Sequence, residues 1–396
     1  MNLGKVTLKP AKDKSIKRFH PWVYATAVKE IEQEIKEGDV VEVYSNKGKY
    51  LGTGHFQDGT ISIRVFEFKQ QTINNDYWKE KIITAINNRK NLNLIGNEST
   101  SIFRLIHAEG DDLPGLIVDY YNGTAVIQCH SIGMWLIKDV FCDVLKETLP
   151  NLEAIYDKSE DSLPEKYHAI YSIENKYLFG DKSSIKPASE HNNLFSINWI
   201  NGQKTGFFID QRENRKLLGE LSKDKKILNT FCYSGGFSIY ALNNGAKEVH
   251  SLDSSKKAMD LLEDNLALLK DKKFKHKSIV ADAMEYIKDI NVDYDIIILD
   301  PPAFAKHMSA RHKAIQGYKK LNARAIEQIK SGGIIFTFSC SQVMNKELFR
   351  SIILSAGVAA ERKIKILHQL HQPSDHPINI FHPESEYLKG LVIQVF

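Results

Sequence analysis

Four places in the second half of the chain set a reactive or hydrogen-bonding side chain at the end of an apolar run. These are Asp253, Asp282, Asp300 and Cys340. Cys340 lies in Ser339-Cys340-Ser341, between two hydroxyls. A thiolate is a nucleophile for covalent catalysis. The start of a following helix would lower its pKa, so Cys340 is expected to be an activated thiol. Cys232 is the competing thiol and is expected to pack beside a glycine turn. Asp300 opens Asp300-Pro301-Pro302-Ala303-Phe304 after Ile296-Ile297-Ile298-Leu299. Prolines fix φ and cannot donate a backbone hydrogen bond, so this loop has a set course and free carbonyls. Pro302 and the Phe304 ring are candidates to grip and stack on a planar base, with Pro301 turned to the cofactor side.

These side chains need a scaffold, and Lys225–Ser238 supplies its centre. A short apolar run leads into Phe231-Cys232-Tyr233-Ser234-Gly235-Gly236, and a helical pattern follows. Strand, glycine turn, helix is how a doubly wound sheet opens a ligand crevice. The spaced glycines of a dinucleotide fingerprint are missing. A cofactor without phosphates, such as S-adenosylmethionine (SAM), does not need that cradle. Phe231, Tyr233 and Gly235 are its expected contacts. Asp253 sits about 20 residues on, where a carboxylate takes ribose hydroxyls. Asp282 could meet the adenine or cap the next helix. Upstream, Asp210 is either a helix cap or a ligand, and Arg212 could pair with the carboxylate of a methionine tail.

The elements alternate regularly. Strands are expected over Ile227–Phe231, Val249–Asp253, His276–Val280, Tyr294–Asp300, Gly333–Ser339 and Lys363–Leu367. Leu388–Phe396 is expected to close the sheet at its edge. Helices are expected over Phe237–Asn243, Ser255–Lys270, Ala283–Ile290, Lys313–Lys330 and Lys346–Ser355. This is an α/β domain with a mainly parallel seven-stranded sheet, covered on both faces. An edge strand at Asn192–Ile197 and an aromatic strand around Phe207–Ile209 precede it.

Residues 1–69 read as an all-β unit, with strands over Gly38–Tyr44, Lys49–Phe56 and Thr60–Phe68. Ahead of them Lys9, Lys12, Lys14, Lys17 and Arg18 interleave with His20, Trp22 and Tyr24. Such a mixture suits phosphate contacts and base stacking; Arg18 and Trp22 are the chosen substrate contacts. Residues 70–190 read as a small α+β module. It has helices over Asn75–Asn91 and Met134–Leu149 and strands over Ile102–Ile106, Leu116–Tyr121, Thr124–Gln128, Ala154–Tyr156 and Ala169–Ile173. The acidic turn with Glu109, Asp111 and Asp112 lacks a regular metal-ligand spacing, and no metal is expected.

Composition sets the frame. The 396 residues imply two or three domains. A net charge of +4 is too small to imply nucleic acid by itself, so any basic surface must be local. The four cysteines form no zinc pattern. Reduced thiols, no signal-like apolar core and no membrane-length run suggest a cytoplasmic protein.

Arg18-Phe19-His20-Pro21-Trp22-Val23-Tyr24, Gly38-Asp39-Val40-Val41-Glu42-Val43, Gly52-Thr53-Gly54 and Ile63-Arg64-Val65 resemble a PUA RNA-binding domain. Together with the glycine turn, Asp253, Asp282, Asp300-Pro301-Pro302-Ala303-Phe304, Ser339-Cys340-Ser341, Gly206–Arg212 and Tyr387-Leu388-Lys389, they make the whole chain resemble a known family. It is the SAM-dependent 23S rRNA cytosine-5 methyltransferases that join a PUA domain, a small α+β domain and a class I, Rossmann-like methyltransferase domain. The resemblance implies domains at 1–69, 70–190 and 191–396. It implies Cys340 as the nucleophile at cytosine C6, Asp300 at the N3 edge, and 23S rRNA or a large-subunit assembly intermediate as partner. A homodimer is admitted. The second cysteine that many RNA cytosine-5 methyltransferases carry after the strand-four proline is missing here. Purine methylation without a thiol, an inactive RNA-binding scaffold, and a nicotinamide oxidoreductase are the competing classes.

Overall fold

The computed structural model describes residues 3–32, 34–269, 274–290, 293–305 and 307–396. The chain forms two units that interleave along the sequence. One runs to Ser189 and takes back Ile197–Ile209 and Ser374–Ser385; the other holds Glu190–Ser196, Asp210–Pro373 and Glu386–Phe396.

The first unit contains two sheets. Alternating burial in Val40–Tyr44 turns Val41 and Val43 inward, where they meet Ile63 and Val65 of Ile61–Glu67 together with Val6 and Leu8. Their six-stranded sheet runs Trp22–Tyr24, Ile61–Glu67, Tyr50–Phe56, Val40–Tyr44, Gly4–Leu8, Val28–Ile31. The strands Gly4–Leu8 and Val28–Ile31 flank the basic stretch and carry too few apolar residues to stand out in sequence. The second sheet runs Lys176–Phe179, Ala154–Asp157, Thr124–Cys129, Leu116–Tyr121, Ile102–His107. Helix Asn75–Asn91, capped by Asn74 on the Tyr77 N–H, buries Tyr77, Trp78, Ile82 and Ile86 in the core of this unit.

Two expectations for this unit need correction. Met134–Leu149 is not one helix. Ser131 caps a short helix Ile132–Leu136, and Lys138–Thr148 follows after a break at Ile137. Ala169–Ile173 is not a strand, because Lys166–Tyr171 is helical and Tyr167 is its buried anchor.

The second unit is built on a seven-stranded sheet. Its elements are α1 (Arg212–Leu221), β1 (Lys226–Thr230), α2 (Gly236–Asn243), β2 (Glu248–Asp253), α3 (Lys256–Ala267), β3 (His276–Val280) and α4 (Ala283–Tyr286). They continue as β4 (Ile296–Leu299), α5 (Arg311–Gln328), β5 (Ile334–Ser339), α6 (Lys346–Ala359), β6 (Ile364–Leu370) and β7 (Lys389–Val395). The sheet order is β3-β2-β1-β4-β5-β7-β6. The run β3-β2-β1-β4-β5 is parallel throughout, and β7 is antiparallel to both β5 and β6. All four β4 side chains are buried, as a central strand covered on both faces requires.

The final strand does not close the sheet. β7 is inserted between β5 and β6, and β6 takes the edge. The burial agrees: β7 is almost wholly buried, whereas β6 is largely open. No strand forms at Phe207–Ile209; a single helical turn, Ile209–Gln211, leads into α1. The segment Asn193–Phe195 pairs only with Ala188–Glu190, outside the large sheet. α3 starts after its Ser255 cap, and the expected end at Lys270 lies outside the described residues. α4 is one turn long rather than reaching Ile290.

Candidate active site

The strand ends of the second unit carry the site, at the switch point where parallel α/β sheets bind ligands. After β1 the backbone enters the left-handed region at every second residue: φ is 54° at Phe231, 47° at Tyr233 and 78° at Gly235. A side chain at 235 is also barred by space, since a Cβ there would lie 2.2 Å from Leu262 Cδ1. Asp253 at the end of β2 fixes this turn. Its Oδ2 accepts from the Tyr233 N–H at 3.0 Å and its Oδ1 from the Ser255 N–H at 2.9 Å. Each oxygen keeps a lone pair for a ribose hydroxyl. The turn closes on Leu262 at Gly235 and on the Arg215 side chain at Gly236, and that guanidinium is committed to the buried Glu190 carboxylate. Cys232 is buried against Met259, 3.7 Å from its sulfur, and burial pushes its thiol pKa up. It packs, as expected.

Asp282 is exposed and accepts from the Glu285 N–H at 2.9 Å, so it caps α4. Asp210 does not cap α1; Gln211 stands at that position. The Tyr387 hydroxyl donates to Asp210 Oδ2 at 2.8 Å, and Oδ1 is buried without a hydrogen-bond partner. Arg212 is 2% exposed, and its Nε donates to Glu213 Oε1 at 3.0 Å.

Asp300 follows β4 and accepts from Gln211 Nε2 at 3.0 Å. Burial, reinforced by the nearby Asp210 carboxylate, pushes its pKa up to about 7. Asp300 therefore retains its proton over most of the acidic range and can donate it to a ring nitrogen. Pro301 is buried and Pro302 exposed. The Phe304 ring is half-buried and packs on α5, with its centroid 4.6 Å from that of Tyr318 and its edge over Gly317.

Cys340 follows β5 and is half-buried. Ser341 Oγ donates to Ala305 O at 2.6 Å, which stitches the cysteine turn to the loop behind the two prolines. The expected lowering of its pKa is overturned. The next helix in sequence, α6, starts only at Lys346 with Asn345 as its cap, so Cys340 does not stand at its N-terminus. Burial first, then the Asp300 and Asp210 carboxylates, push Cys340 up to about 11; Lys389 acts against them.

Lys389, Tyr387 and Gln211 received no role from the sequence. Lys389 is 2% exposed, and its Nζ donates to Ser341 O at 2.8 Å and Tyr387 O at 2.6 Å. A lysine inside the otherwise apolar run Leu388–Ile393 is the available signal.

In the first unit Arg18 is exposed, and beside it Phe19 is 50% exposed. Trp22 is half-buried. Its Nε1 donates to Glu109 Oε1 at 2.8 Å, and its ring meets the His382 ring at 4.3 Å. Asp111 is held by both terminal nitrogens of Arg89 at 2.6 Å, so two carboxylates of the acidic turn are committed to structure. His20, His382 and Glu384 bring three potential ligand atoms together. The Trp22 N–H, however, donates to His20 Nδ1 at 3.2 Å, which leaves the ring proton on Nε2, 3.3 Å from Glu384 Oε2. The His20–Glu384 contact is thus a hydrogen bond from the ring.

Residues 6–68 match the family model of the PUA-like domain, and 165–380 that of the S-adenosylmethionine-dependent methyltransferases. A ribosomal RNA large subunit methyltransferase I of Alteromonas mediterranea is 36% identical, covering 99% of each chain. One of Shewanella denitrificans is 34% identical, again over 99% of each. A SAM-dependent methyltransferase structure from Streptococcus mutans shares the fold, with a TM-score of 0.83 at 23% identity over 98% of this chain and 99% of that one. A methyltransferase solved with S-adenosylhomocysteine has a TM-score of 0.84 at the same identity and coverage.

Proposed function

Given that the chain belongs to the S-adenosylmethionine-dependent methyltransferases, in the family of its ribosomal RNA large subunit methyltransferase I relatives, we propose that it methylates C5 of a cytosine in 23S rRNA. The observation that carries the reading is the pairing of Asp300 and Cys340 at neighbouring strand ends, tied by the Ser341–Ala305 hydrogen bond. Cytosine C5 is a weak nucleophile. Addition of the Cys340 sulfur to C6, with the Asp300 proton passing to N3, makes C5 enamine-like. SAM supplies the sulfonium methyl group that C5 takes up. Loss of the C5 proton to a base then lets the thiolate leave. The target base must be unstacked to reach such a site.

The cofactor contacts in this reading are Phe231, Tyr233, Gly235, Asp253, Asp282, Asp210, Arg212 and Pro301. Pro302 and Phe304 flank the base. The domains are assigned as 1–69, 70–190 and 191–396, with Arg18 and Trp22 in the RNA-docking part. Trp22 serves there through its ring, since Glu109 takes its N–H. An rRNA substrate and reduced cysteines together favour the cytoplasm.

The test is incubation with labelled SAM and protein-free large-subunit RNA, followed by nucleoside mass spectrometry. Labelled 5-methylcytosine is expected. The raised Cys340 thiol favours one second reading, methylation of a purine nitrogen without a covalent step. A methylated purine in the same digest would establish that instead.

A further inference from the structure

We propose that Lys389 is the positioning residue for the Cys340 nucleophile: its ammonium holds the turn that presents the sulfur and supplies the positive charge against which the thiolate forms. The inference rests on the reading of Cys340 as the attacking group. Lys389 begins β7 and stands opposite Ser339, the last residue of β5, in the antiparallel register. From there its Nζ reaches across the strand ends to Ser341 O, one residue beyond the cysteine, and to Tyr387 O on its own strand's approach. Two of the three ammonium N–H groups are thus spent on fixing backbone either side of the site.

An ammonium that is 2% exposed is costly to bury, and two carbonyl oxygens do not neutralise it. Its pKa accordingly falls to about 8, mainly through burial, with the Cys340 sulfur opposing that fall. Lys346 and Glu386 also act on it, but they pair with each other at 2.5 Å and largely cancel. Among the described residues the carboxylates that push the Cys340 thiol up are Asp300 at the end of β4 and Asp210 ahead of α1. The Tyr318 hydroxyl faces it from α5 and stays protonated, its pKa pushed up to about 12. At the Cys340 sulfur Lys389 thus acts against both carboxylates, while Arg215 offsets the Asp300 charge. Insertion of β7 beside β5, rather than at the edge, is what brings Lys389 there.

The test is alkylation of Cys340 by iodoacetamide in the full chain, followed by peptide mass spectrometry from about pH 6 to 11. The sulfur–carbon bond forms, iodide leaves, and the thiol proton passes to water. Lys389→Met should slow alkylation about tenfold near pH 7, where Lys389 still carries its proton, as one pKa unit requires, and the gap should close above about pH 9 as the parent lysine loses its charge. Lys389→Arg keeps the charge and should stay within about threefold of the parent. Lys389→Gln, which can still donate to a carbonyl, replaces the methionine variant if that one does not fold. It should slow alkylation as the methionine does. A neutral variant whose profile superimposes on the parent's, or that speeds alkylation at every pH, overturns the proposal. So does an arginine variant as slow as the neutral ones. Alkylation needs neither RNA nor methyl donor. A flat profile therefore sinks the role of Lys389 and leaves the methylation reading standing, whereas a product other than 5-methylcytosine sinks that reading whatever the profile.

Discussion

In the proposed reaction two side chains at neighbouring strand ends, Asp300 and Cys340, divide the work, and their charges are set by what surrounds them. Cys340→Ala removes the sulfur proposed to add to C6. Methyl transfer should fall by at least about 10³-fold, as for loss of a covalent nucleophile. The affinity for SAM, read by calorimetry, should stay within about twofold, because the glycine turn and Asp253 lie on other strands. Full turnover by that variant would exclude the covalent route. Asp300 has a second signature, in stability. Its pKa rises from 3.8 in the unfolded chain to about 7 in the folded one. Between those values the folded chain holds a proton that the unfolded chain has released. Stability therefore falls as pH rises through this window, and the full cost is present above about pH 7. Asp300→Asn removes that cost. The variant should be more stable than the parent by about 1–3 kcal/mol near pH 8.5, with the gap closing toward pH 4. Thermal melts across that range read it, and a gap independent of pH would count against the raised pKa.

At the scale of the elements, the turn between β1 and α2 is a packed object. Gly235 combines a left-handed backbone with a Cβ position filled by Leu262 Cδ1 at 2.2 Å. Gly235→Ala should cost about 1–3 kcal/mol and weaken SAM binding tenfold or more, since strain and clash fall on the same residue. Adding Leu262→Ala should relieve the clash, leave the backbone strain, and recover only part of the affinity. The glycine pair after an apolar run made this turn legible in sequence. The buried run Ile296–Leu299 before Asp300-Pro301-Pro302 was equally legible, because a fully covered parallel strand leaves a continuous apolar signature. What the pattern could not carry was the neighbour of each strand. Leu388–Phe396 reads as a terminal strand, and nothing local to it says that it wedges between β5 and β6. The consequences for Cys340 followed that error. A helix start is read from the residues after the cysteine, whereas its electrostatics come from burial and then from Asp300, Asp210 and Lys389, all distant in sequence. Tyr167 explains the smaller miss at Ala169–Ile173: a β-prone composition was overridden by one buried aromatic on a helix.

For the whole molecule the question is where RNA affinity comes from. The chain carries 53 basic and 49 acidic side chains, so its overall field is weak and phosphate binding must depend on local clusters. Lys12, Lys14 and Arg18 are exposed in the first unit, on the loops before Trp22–Tyr24. Lys17 is less available, since Asp13 pairs with it at 2.5 Å. Each cation seated on a phosphate releases close to one counterion, and affinity then falls with salt in proportion to the number released. Replacing Lys12, Lys14 and Arg18 together with alanine should lower the slope of log affinity against log salt by about 2–3, and weaken binding at low salt far more than at high salt. The SAM contacts belong to the second unit, so the affinity for SAM should not change. Measuring both ligands on one preparation separates a docking role from general damage. An unchanged salt slope would move the RNA-binding surface off the PUA-like domain. A loss of SAM binding as well would mean that the substitutions had disturbed the fold.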